Sequence, residues 1–253
     1  FGAGQGLAVS GDMTLATARA HGATWAVAAA SGTGSLSLFE VSASGGLALR
    51  DHVTDTGTTR FGGTSALTIA EAGDHVFVLA AGADDGHSLF CLLPDGALLH
   101  AVSIPHVEGS GLENVTALEV AEAGGKLHIF AASGTSGGIA QFSVDLDELG
   151  LSATAPGSTA AVLTGTGDGD LLTGGSLADT LQGGAGDDTL AAGSGGGELT
   201  GGGGGDLFAA AAGQGSSGAL LTITDFTPGE DRLDLTALPA LRSVSQLAAS
   251  QTG

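Results

Sequence analysis

From Gly165 onward the chain repeats itself every nine residues: GTGDGDLLT, GGSLADTLQ, GGAGDDTLA, AGSGGGELT, GGGGGDLFA. The eighth position is apolar in every copy, carrying Leu172, Leu181, Leu190, Leu199 and Phe208. The sixth carries Asp170, Asp179, Asp188, then Gly197, then Asp206. Few folds accept so short a period. A glycine-rich tether has no reason to hold an apolar residue in phase through five successive copies. The pattern therefore predicts a folded object with a nine-residue period and not a tether. Each nonapeptide supplies a strand of about three residues whose central side chain points inward, and a glycine-rich turn.

Glycines at positions one, two and four are expected to take positive φ and to leave backbone carbonyls uncovered. The position-six aspartate adds a carboxylate. Hard oxygens of this kind suit Ca²⁺, which takes about six to eight of them. One apolar residue per nine makes a thin core, so a bound metal would supply much of the stability. Stacked loops place carboxylates ~5 Å apart. Like charges at that distance repel by ~1 kcal/mol in water and ~3 kcal/mol at an effective dielectric near 20. No Lys or Arg lies between residues 151 and 231 to relieve this.

The array resembles the G-G-x-G-x-D-x-U-x repeat of RTX, hemolysin-type calcium-binding proteins. The segment LLTITDFTPGEDRLDLTAL at 220–238 is similar to the one that caps their rolls, through Ile223, Asp225, Phe226, Gly229, Asp231, Leu233, Asp234 and Leu235. The resemblance covers roughly residues 163–238. It implies that each nonapeptide is half a turn, so loops 165–170, 183–188 and 201–206 form one edge and loops 174–179 and 192–197 the other. The implied calcium ligands are Gly165, Gly167, Asp168, Asp170, Asp179, Gly183, Gly186, Asp187, Asp188, Gly201, Gly204 and Asp206. Two Ca²⁺ sites are expected on the first edge. On the second, Gly197 has lost the carboxylate, Leu177 replaces a glycine, and Glu198 sits at a strand position, so a weak or empty site is expected. The resemblance further implies export through type I secretion machinery, folding on Ca²⁺ outside the cell, and a secreted, extracellular location at a Gram-negative bacterial surface.

The formal net charge is −21. That disfavours nucleic acid, whose phosphates need a basic footprint, and equally an anionic membrane surface. An acidic halophile-type surface is the plain alternative to cation binding. The single cysteine, Cys91, excludes an intrachain disulfide and reads as a small buried hydrophobe. No run reaches the ~18 apolar residues of a membrane-spanning helix. The chain opens FGAGQG, without Met or a signal peptide, so its N-terminus reads as cut or processed.

The first half has a longer period. SALTIAEAGDHVFVLAAGADDGHSLF begins at Ser65, and TALEVAEAGGKLHIFAASGTSGGIAQF at Thr116, fifty-one residues later. WAVAAASGTGSLSLF from Trp25 fits the same register, with Phe39 fifty-one residues before Phe90. Within one unit ALTIAEA, HVFVLAAG, HSLFCLL and ALLHAVSI read as antiparallel strands separated by the turns EAGD, GADDG and PDG. Four strands per repeat resemble the blades of lactonase-like and quinoprotein-like β-propellers over roughly residues 14–149, about three blades, where ~4–8 are needed to close. The all-β expectation is thus a partial propeller-like domain at 1–150, a linker at 151–162, the β-roll with its cap at 163–238, and a C-terminal extension at 239–253 that reads as truncated.

Rival chemistry is thin. His75, His87, His100 and His106 lack metal-binding spacing and read as strand or surface histidines. Asp84 and Asp85 read as a solvated turn, and Arg60, beside Phe61 and after acidic Asp55, as half of an inter-blade salt bridge. No nucleophile stands with a base, so no catalytic residue is assigned and the reading leans away from an enzyme. Three functions stay open: a calcium-stabilised structural, adhesive or surface-assembly protein with a self-associating or cell-surface glycan partner; a lactonase- or lyase-like enzyme; and an export module for other cargo.

Overall fold

In a computed structural model, which describes residues 7–211, 220–235 and 237–238, the chain divides into two compact units, Phe1–Leu146 and Asp147–Gly253. The readings made of the first six residues and of the 239–253 extension lie outside the described residues. No helix is long and apolar enough to cross a membrane among the residues described.

The first unit holds three antiparallel sheets. Strands β1 (Met13–Ala20), β2 (Ala23–Ala30), β3 (Ser35–Val41) and β4 (Leu47–Thr54) form one meander. Strands β5 (Ala66–Ala72), β6 (His75–Ala81), β7 (Gly86–Leu92) and β8 (Leu98–Pro105) form the next, and they coincide with the four runs expected from the sequence. Strands β9 (Val115–Ala123), β10 (Lys126–Ser133) and β11 (Ile139–Asp145) form the third. The hairpins are set by their turn residues. His21 and Gly22 both take positive φ between β1 and β2, as do Gly124 and Gly125 between β9 and β10. That geometry matches the right-handed twist of the flanking strands.

Each face of the second sheet meets a neighbour. On one, the row Ile69–Val78–Phe90 packs with Trp25, Val27, Leu36 and Leu38 of the first sheet and with Phe61 from the crossover between them. Phe61 meets Phe90 edge-on at 5.5 Å. On the other face, His87 lies 5.0 Å from the Phe142 ring of β11. Cys91 is buried, as expected, and burial pushes its thiol up to about 12.

The second unit is a parallel β-solenoid of about three turns. After a 3-10 turn (Leu146–Glu148) come β12 (Leu149–Thr154), β13 (Val162–Thr164), β14 (Gly169–Thr173), β15 (Asp179–Ala185) and β16 (Thr189–Ala191). They are followed by β17 (Gly197–Gly203), β18 (Leu207–Ala209), β19 (Leu221–Ile223) and β20 (Arg232–Asp234). Even-numbered strands β12 to β20 make one parallel sheet, and β13, β15, β17 and β19 the other. Leu172 pairs Leu190 and Leu190 pairs Phe208, while Leu181 pairs Leu199 on the facing sheet. One turn is therefore eighteen residues, two nonapeptides. The five position-eight side chains and Ala192 form the buried core between the sheets.

The 151–162 linker expectation is corrected in part. Residues 149–154 form β12, which pairs in parallel with β14, and Ala153 packs on the core. Alternation along LGLSAT suffices for an edge strand once a sheet is there to receive it. Composition hid this, because the array's glycines and aspartates are missing from that turn.

Candidate metal centre

The position-six aspartates stand in register on one edge of the even-numbered sheet, Asp170 at the start of β14 and Asp188 and Asp206 directly before β16 and β18. Asp170, Asp188 and Asp206 are buried, although each is a carboxylate. What holds them is the backbone of the adjacent turn. Asp188 Oδ1 accepts the Asp170 N–H at 2.8 Å, and Asp206 Oδ1 accepts the Asp188 N–H at 2.9 Å. Asp170 Oδ1 accepts the Leu151 N–H at 2.5 Å and its Oδ2 the Thr166 N–H at 2.6 Å. Each carboxylate thus ties its own loop to the turn before it.

The glycines divide into two kinds, which corrects the uniform expectation of positive φ. Gly184 and Gly202 at position two, and Gly186 and Gly204 at position four, do take positive φ, between 102° and 133°. Gly165, Gly183 and Gly201 at position one do not. They are needed because the carboxylate folds against their Cα. A Cβ on Gly165, Gly183 or Gly201 would overlap Oδ2 of Asp170, Asp188 or Asp206 respectively. Gly167 sits in open space. Asp168 and Asp187 are exposed at the rim, and Asp187 Oδ1 accepts the Gly205 N–H at 2.7 Å.

Asp188 is the odd member. Its Oδ2 is buried without a hydrogen-bond partner. Burial, and then the charges of Asp206, Asp170 and Asp187, push its carboxyl up to about 7, against one lowering contact from the Asp170 N–H. Asp206 is raised too, first by burial and further by Asp231, Asp225 and Asp187. A buried carboxylate oxygen with no donor is costly. A hard cation is the chemical partner this arrangement lacks, so the residues present fit Ca²⁺. Among the described residues no three His, Cys, Asp or Glu side chains gather as a metal cluster. A cation on this edge would therefore draw most of its ligands from backbone carbonyls, which the glycine loops leave accessible.

The second edge differs. Asp179 is buried, but both its oxygens are used, by the Ala161 N–H and the Gly175 N–H, each at 2.7 Å. Gly197 has φ 128°, and a Cβ there would overlap the Asp179 carbonyl oxygen. Leu177 and Glu198 are exposed.

Two carboxylates outside the expected ligand set extend the ladder. Asp231 Oδ1 accepts the Asp206 N–H at 2.9 Å and its Oδ2 the Thr227 N–H at 2.7 Å, the arrangement seen at Asp170. Asp225 accepts the Gly201 and Gly202 N–H groups at 2.9 and 2.8 Å. The signal was present in the sequence. Residues 226–234, FTPGEDRLD, are a further nonapeptide, with Gly229 (φ 97°) at position four, Asp231 at six and Leu233 at eight. It is out of phase because Phe208 and its partner Leu233 are twenty-five residues apart, not eighteen.

In the first unit the expected residues do not converge. His75 stacks beside Phe77, His87 is buried, His100 bonds Ser103 Oγ and His106 bonds Ser110 Oγ. Asp85 Oδ1 accepts the Asn114 N–H at 2.9 Å, while Asp84 Oδ1 is buried without a partner. No salt bridge of Arg60 is among those formed by the described residues, which are Arg50–Glu40 and Lys126–Asp145. Asp55 Oδ1 instead serves its own turn, accepting from Thr59 Oγ1 and the Phe61 N–H, and the Arg60 N–H donates to Ser88 Oγ.

Together these features define an all-β chain whose second unit is a parallel β-solenoid of eighteen-residue turns, compatible with an RTX-like β-roll. No protein-family model matches the chain, and no curated protein is significantly similar to it.

Proposed function

We propose that this chain is a calcium-binding RTX-type protein of the extracellular space, exported through a type I system, whose β-roll folds on Ca²⁺ and whose first unit serves a structural, adhesive or surface-assembly role. The observation that carries the proposal is the unpartnered Asp188 Oδ2, buried in a ladder of carboxylates. Asp170, Asp188 and Asp206, with the carbonyls of loops 165–170, 183–188 and 201–206, would hold the ion. Bound Ca²⁺ supplies positive charge to a stretch, residues 151–231, that contains no Lys or Arg, and offsets the repulsion that otherwise opposes stacking. The exposed Asp168 and Asp187 add negative potential at the mouth of that edge.

The three meanders read as propeller blades. Their first strands, β1, β5 and β9, pack successively against one another, as the inner strands of neighbouring blades do.

Calcium titration of the full chain by circular dichroism and calorimetry tests this. Parallel β-signal should rise at ~0.1–1 mM Ca²⁺, the range of extracellular modules. Asp188→Asn keeps the shape and removes the charge, and should weaken binding by roughly tenfold or more, since ligand charge tunes calcium affinity. Full β-structure in chelator, unmoved by calcium, would sink the proposal.

A further inference from the structure

Three strands of this chain begin at a fixed interval. Strands β4, β8 and β12 start at Leu47, Leu98 and Leu149, each fifty-one residues after the last. That is the repeat period of the first unit. Strands β4 and β8 close the first and second meanders, where they pair β3 and β7. The likeness runs past the start. LLHAVSIP at 98–105 and LGLSATAP at 149–156 share the opening Leu and the closing Pro, with Thr154 in the place of Ser103. By register, residues 149–154 are the fourth strand of the third meander. The structure pairs them with β14 instead.

The fourth place in the third meander is open. That sheet has three strands, and β11 pairs β10 alone. Among the described residues, no further backbone hydrogen bond reaches residues 139–144. Their sequence, IAQFSV, holds no charge and no Pro, and Ile139, Gln141 and Ser143 are exposed. So bare an edge is a template for another strand.

In the solenoid β12 fits loosely. Its register with β14 slips between Leu149 and Ser152, whereas β14–β16 and β16–β18 are regular. Ala153 packs on the core, but Leu151 stays 41% exposed. What fastens the strand is Asp170 of the candidate metal edge, whose Oδ1 accepts the Leu151 N–H. Gly150 lets that carboxylate approach, since a Cβ there would lie 2.3 Å from Asp170 Oδ1.

The turn makes the two placements exclusive. Loops 42–46 and 93–97 reverse the chain with Gly45 (φ 80°) and Gly96 (φ 85°). They are closed by the Ser42 N–H to the Gly46 carbonyl and the Leu93 N–H to the Ala97 carbonyl. Asp147 stands fifty-one residues after Gly96, and the chain there forms the 3-10 turn Leu146–Glu148, without a positive φ. Asp is one of the few non-glycine residues that enter the left-handed region readily. The hairpin is therefore accessible, but only by giving up the present turn.

We infer that residues 149–154 are a strand with two docking places. The formed carboxylate edge holds them beside β14. Without it they return antiparallel to β11 and complete the third meander. Calcium as the trigger rests on the function proposed above. Before calcium is met, the strand shields an edge that would otherwise recruit other chains.

Hydrogen exchange of the full chain, read by mass spectrometry over 139–144 and 149–154, tests it. Gly150→Val bars the approach of Asp170 whether or not calcium binds, and Val suits a strand. In millimolar calcium the variant should exchange roughly tenfold or more slowly than wild type over 139–144, while 149–154 stays protected. Wild type moved into chelator should show the same gain over 139–144. A variant in which 139–144 is unchanged overturns the inference, whether 149–154 exchanges freely or not, with protection of β5 to β8 showing that the first unit is still folded. A gain in the variant but none in chelator supports the two docking places and overturns calcium as what chooses between them.

Discussion

The two units solve the same problem, burying enough apolar surface to fold, with very different means. The first stacks antiparallel sheets whose central member is buried on both faces, with Phe61, Phe90, Leu79 and Leu92 fully enclosed. The second builds its core on one position-eight side chain per nine residues, Leu172, Leu181, Leu190, Leu199 and Phe208, with Ala192 beside them. The first keeps carboxylates out of its apolar core, although Asp84 Oδ1 is buried without a partner in a turn. The second buries Asp170, Asp179, Asp188 and Asp206 and builds its turns around them. A unit of the first kind can stand on hydrophobic burial, whereas one of the second kind needs its carboxylates neutralised.

Calcium removal should separate the units most widely. Hydrogen exchange in chelator should leave β5 to β8 protected and abolish protection across β14 to β18. Equal protection in both would break the comparison.

Core truncation comes next. Leu79→Ala and Leu190→Ala remove the same atoms from fully buried positions, at a cost of about 2–5 kcal/mol each. The first unit should melt earlier yet still fold. The solenoid, losing one of its five position-eight core side chains, should fail to fold even in saturating calcium. Survival of Leu190→Ala with a similar melting shift would show that its core is not the thin member.

The two units should also answer acid in opposite directions. Burial holds the His87 imidazole down to about 4, from an ordinary value near 6.5. Between those values the unfolded chain binds the extra proton, so stability rises with pH across that window. His87 contributes at most ~3 kcal/mol above pH 6.5, lost as pH falls toward 4. Asp188 runs the other way, since burial and its carboxylate neighbours raise it to about 7. Without calcium, its contribution to the solenoid is present at pH 4 and lost as pH rises through 7. Acid should partly replace calcium in calcium-depleted protein. Thermal melts at several pH values, read separately for each unit, check both slopes, and parallel slopes would contradict the assignment.

The difference also explains what could be read from the sequence. The strict nine-residue phase of Leu172 to Phe208 exposed a folded repeat, because a core with one side chain per nine residues tolerates no slip, and the resemblance carried by that repeat implied the roll, its turn and the Asp170–Asp188–Asp206 edge. The four strands of the second sheet were legible from alternation and from turns such as EAGD. Three features were not. β12 was hidden because an edge strand needs only alternation, not the motif. Asp231, read only as part of the cap, had its place in the carboxylate ladder hidden because an insertion shifted the phase of FTPGEDRLD. The role of the position-one glycines was hidden because a missing Cβ and a positive φ leave the same letter in a sequence.

That last distinction gives the finest test. Gly183 and Gly167 are both glycines of loops on the Asp170–Asp188–Asp206 edge with φ outside the left-handed region. At Gly183 a Cβ would overlap Asp188 Oδ2 and come within 2.6 Å of the Gly201 carbonyl oxygen. At Gly167 it would meet nothing within 4 Å. Gly183→Ala should therefore cost about 1–3 kcal/mol, as overpacking does, and weaken calcium binding by displacing Asp188. Gly167→Ala should stabilise by about 0.4–1 kcal/mol, by narrowing the unfolded ensemble alone. Denaturant melts in saturating calcium compare the two. If Gly167→Ala destabilised as much as Gly183→Ala, the loops would need glycine for backbone freedom throughout, and the carboxylate-cradle role of position one would be wrong.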